Sequence, residues 1–158
     1  MTSEPSLSTI SCGQTNTSVD ALARGEMSTG RKLELHSLRG DQLREAFAAG
    51  TVCLDRYKDK INALNVFPVP DGDTGTNMFL TMRAVNEDAA KTLSADASKV
   101  SSAMAKGALL GARGNSGVIL SQFFNGISQG LRGKNVCDSE SFCQALDIAS
   151  TISYNSVS

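Results

Sequence analysis

Two short segments hold most of the chemistry this sequence can offer. The first, NVFPVPDGDTGTN (residues 65–77), places Asp71 and Asp73 one residue apart across Gly72, with Pro68 and Pro70 just before them. Two ionised carboxylates at that spacing repel one another unless a cation lies between them. Mg²⁺ suits such a pair, because it takes one or two carboxylates together with water and substrate phosphates. The residues that follow, Thr74, Gly75, Thr76 and Asn77, lead into a helical pattern, so backbone N–H groups and polar side chains are available to an anion. The second segment, GALLGARGNSG (residues 107–117), also runs straight into a helix. Gly114 and Gly117 flank Asn115 and Ser116, and consecutive N–H groups there can form an anion nest. Ser116 can donate to a phosphate oxygen, and Arg113 adds a charged contact.

Each segment also has a plain structural reading. The first is then an Asp-Gly turn in which Asp73 or Thr74 caps the next helix. The second is then a helix–helix turn with glycine at the C-cap and Asn or Ser at the N-cap. The second segment is not a P-loop, since GxxxxGK[ST] is absent, and no strand precedes it as a dinucleotide-binding fingerprint requires. A nucleotide-sugar transferase of the DxD kind would need strands around Asp71 and Asp73, which the pattern does not supply. Taken together, two glycine-rich polar loops that each open a helix are most simply explained by one metal–phosphate site.

The elements that must position these loops read as helices. Leu43, Phe47, Leu54, Tyr57, Ile61 and Leu64 recur at mostly helical spacing from Asp41, a fair N-cap, with Gly50 marking a bend or a close contact. Pro68 and Pro70 then push Phe67 and Val69 toward extended conformations. A second helix over 77–93 carries Met78, Met82, Val85 and Ala89 on one face, and a third over 96–110 carries Val100, Met104 and Ala108. A fourth over 116–131 is expected to bury Val118, Ile119, Phe123 and Ile127. After a turn at Gly130, Gly133 and Lys134, the last starts near Asp138 or Ser139 and uses Phe142, Leu146, Ala149 and Ile152. No run alternates with period two over strand length. The expected fold is all-α, a barrel or bundle of amphipathic antiparallel helices with the glycine-rich loops at one end. Residues 1–37, rich in Ser, Thr, Gly and Asn, are expected to form a flexible extension outside a domain over 38–158, in which Val19 to Leu22 could at most make one helical turn. The chain stops at Ser158 inside the last helical pattern, which suggests an incomplete domain.

Composition bounds the partners. Fifteen basic and sixteen acidic residues leave a net charge of −1, which argues against a basic nucleic-acid surface. No apolar run approaches the roughly 18–20 residues of a membrane span, and the first residues lack the pattern of a secretory signal, so a cytoplasmic protein is expected. The 158-residue chain has no Trp, and its core must come from Leu, Ile, Val, Ala and Met. Cys12, Cys53, Cys137 and Cys143 show no CxxC spacing and the sole His is His36, so zinc patterns are absent. The cysteines are expected to be free thiols, two or three of them packed as small hydrophobes. His36 reads as a solvated side chain.

The stretches NALNVFPVPDGDTGTNM and GALLGARGNSGVILSQ closely resemble the ATP-binding domain shared by dihydroxyacetone kinase L subunits and the N-terminal domain of bacterial fatty acid kinases. The resemblance covers roughly Leu38 to Val157. It implies a barrel of antiparallel helices that binds ATP and Mg²⁺ at one end. Asp71 and Asp73 then correspond to catalytic metal ligands bridging to the β- and γ-phosphates, Thr74 to Asn77 to phosphate contacts, and Arg113 to Gly117 to a second phosphate loop. Dihydroxyacetone kinases carry a third metal-binding Asp upstream, where this chain offers the neutral amides Asn65 and Asn62. They also usually have His after the second Asp, where this chain has Thr74, which favours the fatty acid kinase style. In that style an acyl-carrying partner protein presents a carboxylate that becomes an acyl phosphate. The alternatives are a dihydroxyacetone kinase L-type subunit, or a truncated nucleotide-binding or interaction module without catalysis. A homodimer is compatible with each.

Overall fold

A computed structural model of the protein describes residues 37–66 and 70–156. All of them fall within the second of two compact units into which the chain divides, Leu33–Ser158. The expectations for the N-terminal extension, for Cys12 and His36, and for Phe67 and Val69 therefore lie outside the described residues, except that Ser37 belongs to the fold.

Among the described residues the order is β1 (Ser37–Arg39), α1 (Gly40–Leu64), α2 (Thr74–Ala90), α3 (Ala97–Gly111), α4 (Gly114–Gly130), β2 (Val136–Asp138) and α5 (Ser139–Asn155). The all-α expectation holds, with one small addition. The three-residue strands β1 and β2 pair antiparallel, Ser37 with Asp138, Leu38 with Cys137 and Arg39 with Val136. Period-two patterning cannot reveal strands this short. The ribbon is set by packing instead: Cys137 is buried and Leu38 lies against the core.

Each helix packs on the next in sequence, while α2 also packs on α4 and α1 on α3. The apolar stripes of α2 and α3 fall where their spacing puts them, with Val85, Ala89, Val100, Met104 and Ala108 fully buried. Leu43 and Phe47 bring α1 to this core, and the Phe47 ring meets Phe124 of α4 at 5.2 Å between centroids. On α4 the expected face is displaced. Val118 and Ile119 are exposed, and Phe124 and Ile127 form the buried stripe. Two further expectations need correction. A Cβ on Gly50 would meet nothing within 4 Å, so Gly50 makes no close helix contact. Cys53 and Cys143 are exposed thiols, leaving Cys137 as the one described cysteine packed as a hydrophobe.

The seam between α4 and α5 is made of small residues. A Cβ on Gly126 would lie 2.2 Å from Ala149 Cα, and one on Gly130 would lie 2.4 Å from Ala145 Cα. The helix backbones therefore touch along this line, and Leu146, expected in the core, stays exposed.

The helix starts nearest the ribbon are tied by side chains and loop carbonyls. Asp96 accepts from the backbone N–H groups of Ser98 and Lys99 at the start of α3, and the carbonyls of Asn135 and Lys134 accept from Ala97 and Ser98. Asp138 caps α5 by accepting from Ser141 N–H at 2.8 Å and from the Ser141 hydroxyl. At α1 the Gln42 side chain reaches back to the Arg39 N–H at 3.0 Å, so the helix starts at Gly40, ahead of the Asp41 N-cap that the sequence suggests.

Two outcomes follow from these contacts. Gly126→Leu forces a side chain into the Ala149 backbone, and thermal melting should show a loss at the upper end of the ~1–3 kcal/mol typical of overpacking. The bonds from Ser141 hold the Asp138 carboxyl below its ordinary value. A carboxylate with a lowered folded pKa adds stability above its unfolded value, near pH 4, and that contribution is lost as pH falls through the folded value. The melting difference between wild type and Asp138→Ala should therefore be full at neutral pH and shrink in acid.

Candidate functional site

The two glycine-rich segments meet at the end of the bundle where α2 and α4 begin. Helix α2 starts at Thr74, three residues earlier than its apolar stripe indicates, so Thr74, Gly75 and Thr76 form its first turn. Helix α4 starts at Gly114, which places Asn115 and Ser116 in its first turn. The Ser116 hydroxyl donates to the Thr74 carbonyl at 3.4 Å. Gly114 has φ +57°, and a Cβ there would lie 2.3 Å from Asn77 Nδ2. A Cβ on Gly117 would lie 2.4 Å from Thr81 Oγ1. These glycines thus have a structural reason beyond ligand access: they let α4 begin directly against α2.

Gly75 plays the same part on the other side of α2. A Cβ there would lie 2.2 Å from the Lys58 carbonyl, so the first turn of α2 rests on the backbone of α1. The Lys58 ammonium itself is paired with Asp55 and lies over the Phe79 ring.

The carboxylates sit on the loop between α1 and α2. Asp71 is exposed and accepts from Asn65 Nδ2, and the loop turns at Gly72 with φ +66°. Asp73 is half-buried and occupies the N-cap position of α2 without capping it, since its side chain bonds to none of the first-turn amides. Arg113 holds the same position on α4, also without a side-chain cap. Neither helix has an acidic residue in its first turn. The helix starts nearest the ribbon are closed by Asp96 and Asp138, whereas these two receive no cap from their own N-cap residues, and on α2 the Thr76 N–H is met by Asn62 Oδ1 from α1.

The donor chemistry of this end fits a hard cation with phosphate. Asp71 and Asp73 supply carboxylate oxygens, and the Asn65 amide oxygen is a third donor of the same kind. Among the described residues no group of three His, Cys, Asp or Glu could hold a metal, so the cation would need a ligand's oxygens or water to complete its shell. Of the neutral amides suggested by the sequence, Asn62 is set aside: both its polar atoms bond to Thr76. Arg113 and Asn115 are exposed at the start of α4. Open grooves lie elsewhere, among them one between α3 and α4 lined by Ser102, Lys106, Gln122 and Asn125 and one between α4 and α5 lined by Ile119, Phe123, Leu146 and Tyr154.

Thr81 was not evident as a site residue from the motifs alone. It is fully buried, donates to the Asn77 carbonyl at 2.8 Å and accepts from the Arg113 N–H at 3.1 Å. The signal was present in the pattern, for Thr81 is a polar residue between Met78 and Val85 on the buried stripe of α2.

An all-helical bundle with paired glycine-rich helix starts beside a DGD loop defines a class, and comparison with known proteins identifies it. The profile of the DAK2 domain matches residues 68–158. The chain belongs to the DAK2-domain family, whose members are dihydroxyacetone-kinase-like modules associated with nucleotide binding. It is 42% identical over 125 residues to Protein YloV of Bacillus subtilis, covering 79% of this chain and 23% of that protein. An uncharacterized protein of Staphylococcus saprophyticus is 39% identical over 118 residues, covering 75% and 21%. One of Staphylococcus epidermidis is 36% identical over 123 residues, covering 78% and 22%. The chain thus spans between 21% and 23% of the length of these relatives. No helix among the described residues is long and apolar enough to cross a membrane.

Thr81→Val keeps the shape of the side chain but removes the acceptor of the part-buried Arg113 N–H, a loss of about 1 kcal/mol. Amide exchange at Arg113 should rise together with a lower melting point.

Proposed function

We propose that this chain carries the nucleotide and metal site of an ATP- and Mg²⁺-dependent phosphotransferase of the fatty acid kinase kind. The observation that supports it best is the meeting of two helix starts whose N-cap side chains make no cap bond, joined by Ser116 to Thr74 and by Gly114 to Asn77, beside the Asp71–Asp73 loop. In this reading Asp71 and Asp73, with Asn65, hold the cation. The Thr74 and Gly75 amides, the Thr74 and Thr76 hydroxyls and the Asn77 side chain bind the phosphates from one side, and the Arg113 side chain with the Gly114, Asn115 and Ser116 amides binds them from the other. Mg²⁺, when bound, neutralises charge on the transferring phosphoryl group.

The residues themselves orient and screen. Ser116 and Thr81 fix the distance between the two phosphate-binding turns, so the donors stand ready without rearrangement. Arg113, exposed at the start of α4, offers a positive charge to the phosphates. Neither motif contains a His to serve as general base. An acyl carboxylate needs none, because it is already ionised at neutral pH. An acceptor of that type, delivered by an acyl-carrying partner protein, therefore suits the site, whereas Thr74 at the position usually held by His counts against dihydroxyacetone. In a cytoplasmic setting the nucleotide would be plentiful.

A second reading is a module that binds nucleotide without turning it over alone, with the rest of a longer protein handling the acceptor. The share of the relatives that this chain spans favours it.

Calorimetric titration of Mg·ATP into the wild-type chain and into an Asp71→Asn/Asp73→Asn variant tests the proposal. Saturable binding that weakens at least tenfold, about 1.4 kcal/mol, in the variant is expected. Equal binding by both would place the nucleotide elsewhere. Phosphoryl transfer to a partner-bound fatty acid then separates the kinase from the module that only binds.

A further inference from the structure

Asn62, in the last turn of α1, has no role in the preceding reading, yet its amide makes two bonds to a single residue. The Thr76 N–H donates to Asn62 Oδ1 at 3.1 Å, and Asn62 Nδ2 donates to Thr76 Oγ1 at 2.9 Å. A backbone N–H can only donate, so chemistry fixes the orientation of this amide. Both residues are half-buried.

Two consequences meet at the candidate site. The pair joins the residues on either side of the segment that carries Asp71 and Asp73, so that segment closes between fixed posts. Asn65 adds a second tie inside it through Asp71. In addition, Thr76 Oγ1 accepts from Asn62, and its one O–H proton is therefore left for a different acceptor. Had the partner been a carboxylate, the hydroxyl would have turned toward it. Asn is the side chain that can accept from the amide and donate to the hydroxyl at once.

We propose that Asn62 is a positioning residue for phosphate binding: it holds the first turn of α2 against α1 and keeps the Thr76 hydroxyl proton directed to the anion. This rests on the nucleotide reading of the site, and the test separates the two. Amide exchange at Thr76 is measured in the nucleotide-free full chain, and Mg·ATP is titrated calorimetrically into wild type, Asn62→Ala and Asn62→Asp. The titrations use about 0.5 M KCl, where the charge added by Asp is strongly screened.

Asn62→Ala should lose protection at Thr76 and bind Mg·ATP about tenfold more weakly, as expected for one charge-assisted hydrogen bond. Asn62→Asp should keep that protection, since its carboxylate still accepts from the amide, but should bind as weakly as Asn62→Ala because the hydroxyl now donates inward. A purely structural tether predicts that Asp restores affinity as well as protection. Wild-type affinity in Asn62→Asp overturns the proposal, as does unchanged Thr76 exchange in Asn62→Ala. If Asn62→Ala does not fold, the Asn62→Asp titration alone decides. If the wild-type chain does not bind Mg·ATP, the nucleotide reading fails and the phosphate role of Asn62 fails with it, while loss of Thr76 protection in Asn62→Ala would still establish the tether.

Discussion

The arrangement depends on how closely α2 approaches its neighbours at its own first turns. Helix axes normally stay 8–10 Å apart because side chains stand between them. Here Gly75 removes the side chain facing the Lys58 carbonyl, and Gly114 and Gly117 remove those facing Asn77 and Thr81. A methyl group at Gly75 would run into the Lys58 backbone and displace a helix start, while at Gly114 and Gly117 it would push on the Asn77 and Thr81 side chains, with φ +57° adding strain at Gly114. The polar bonds that join the loops, from Ser116 to Thr74 and from the Arg113 amide to Thr81, form only at this spacing. Glycine in these motifs therefore acts first on packing, and the site is a product of that packing.

The bundle has two unlike ends. Near the ribbon, carboxylates and loop carbonyls meet the helix donors, as in an ordinary protein interior where buried N–H groups are paired. At the opposite end neither N-cap residue caps its helix, although Asp73 stands in the capping position of α2. Asp-Gly and Asn-Ser sequences often cap helices, and that plain reading was available for both loops. Asp73 does not follow it. Its backbone is in the right-handed helical region, φ −117° and ψ −1°, whereas capping residues normally adopt extended angles, as Asp96 and Asp138 do.

Much of the bundle was legible in the sequence because α2 and α3 carry one clean apolar stripe each. The buried stripe on α4 departs from its apolar pattern for a physical reason. Its contact with α5 runs through Gly126 and Gly130 against Ala145 and Ala149, and small residues contribute little to a hydrophobic pattern while permitting the closest packing. The larger Val118, Ile119 and Leu146 then drew the expected face toward themselves, though they are exposed. Of the candidate site, the two motifs and their proximity could be anticipated from residue types and spacing. The pins that hold them, Asn62 and Thr81, could not be singled out, because each acts through a partner 14 or 32 residues away.

The ribbon has a consequence for how the chain reaches this structure. Ser37 to Arg39 pair with Val136 to Asp138, so the opening strand of the described fold finds its partner about a hundred residues later. Helices α1 to α4 can gather pairwise through nearby contacts as they emerge during synthesis. The strand that leads into α1 must wait for β2, and a long closure of this kind is slow compared with local helix formation. During that interval Leu38 and the core face behind it stay uncovered, which makes the delay before the ribbon closes the period of greatest exposure to aggregation.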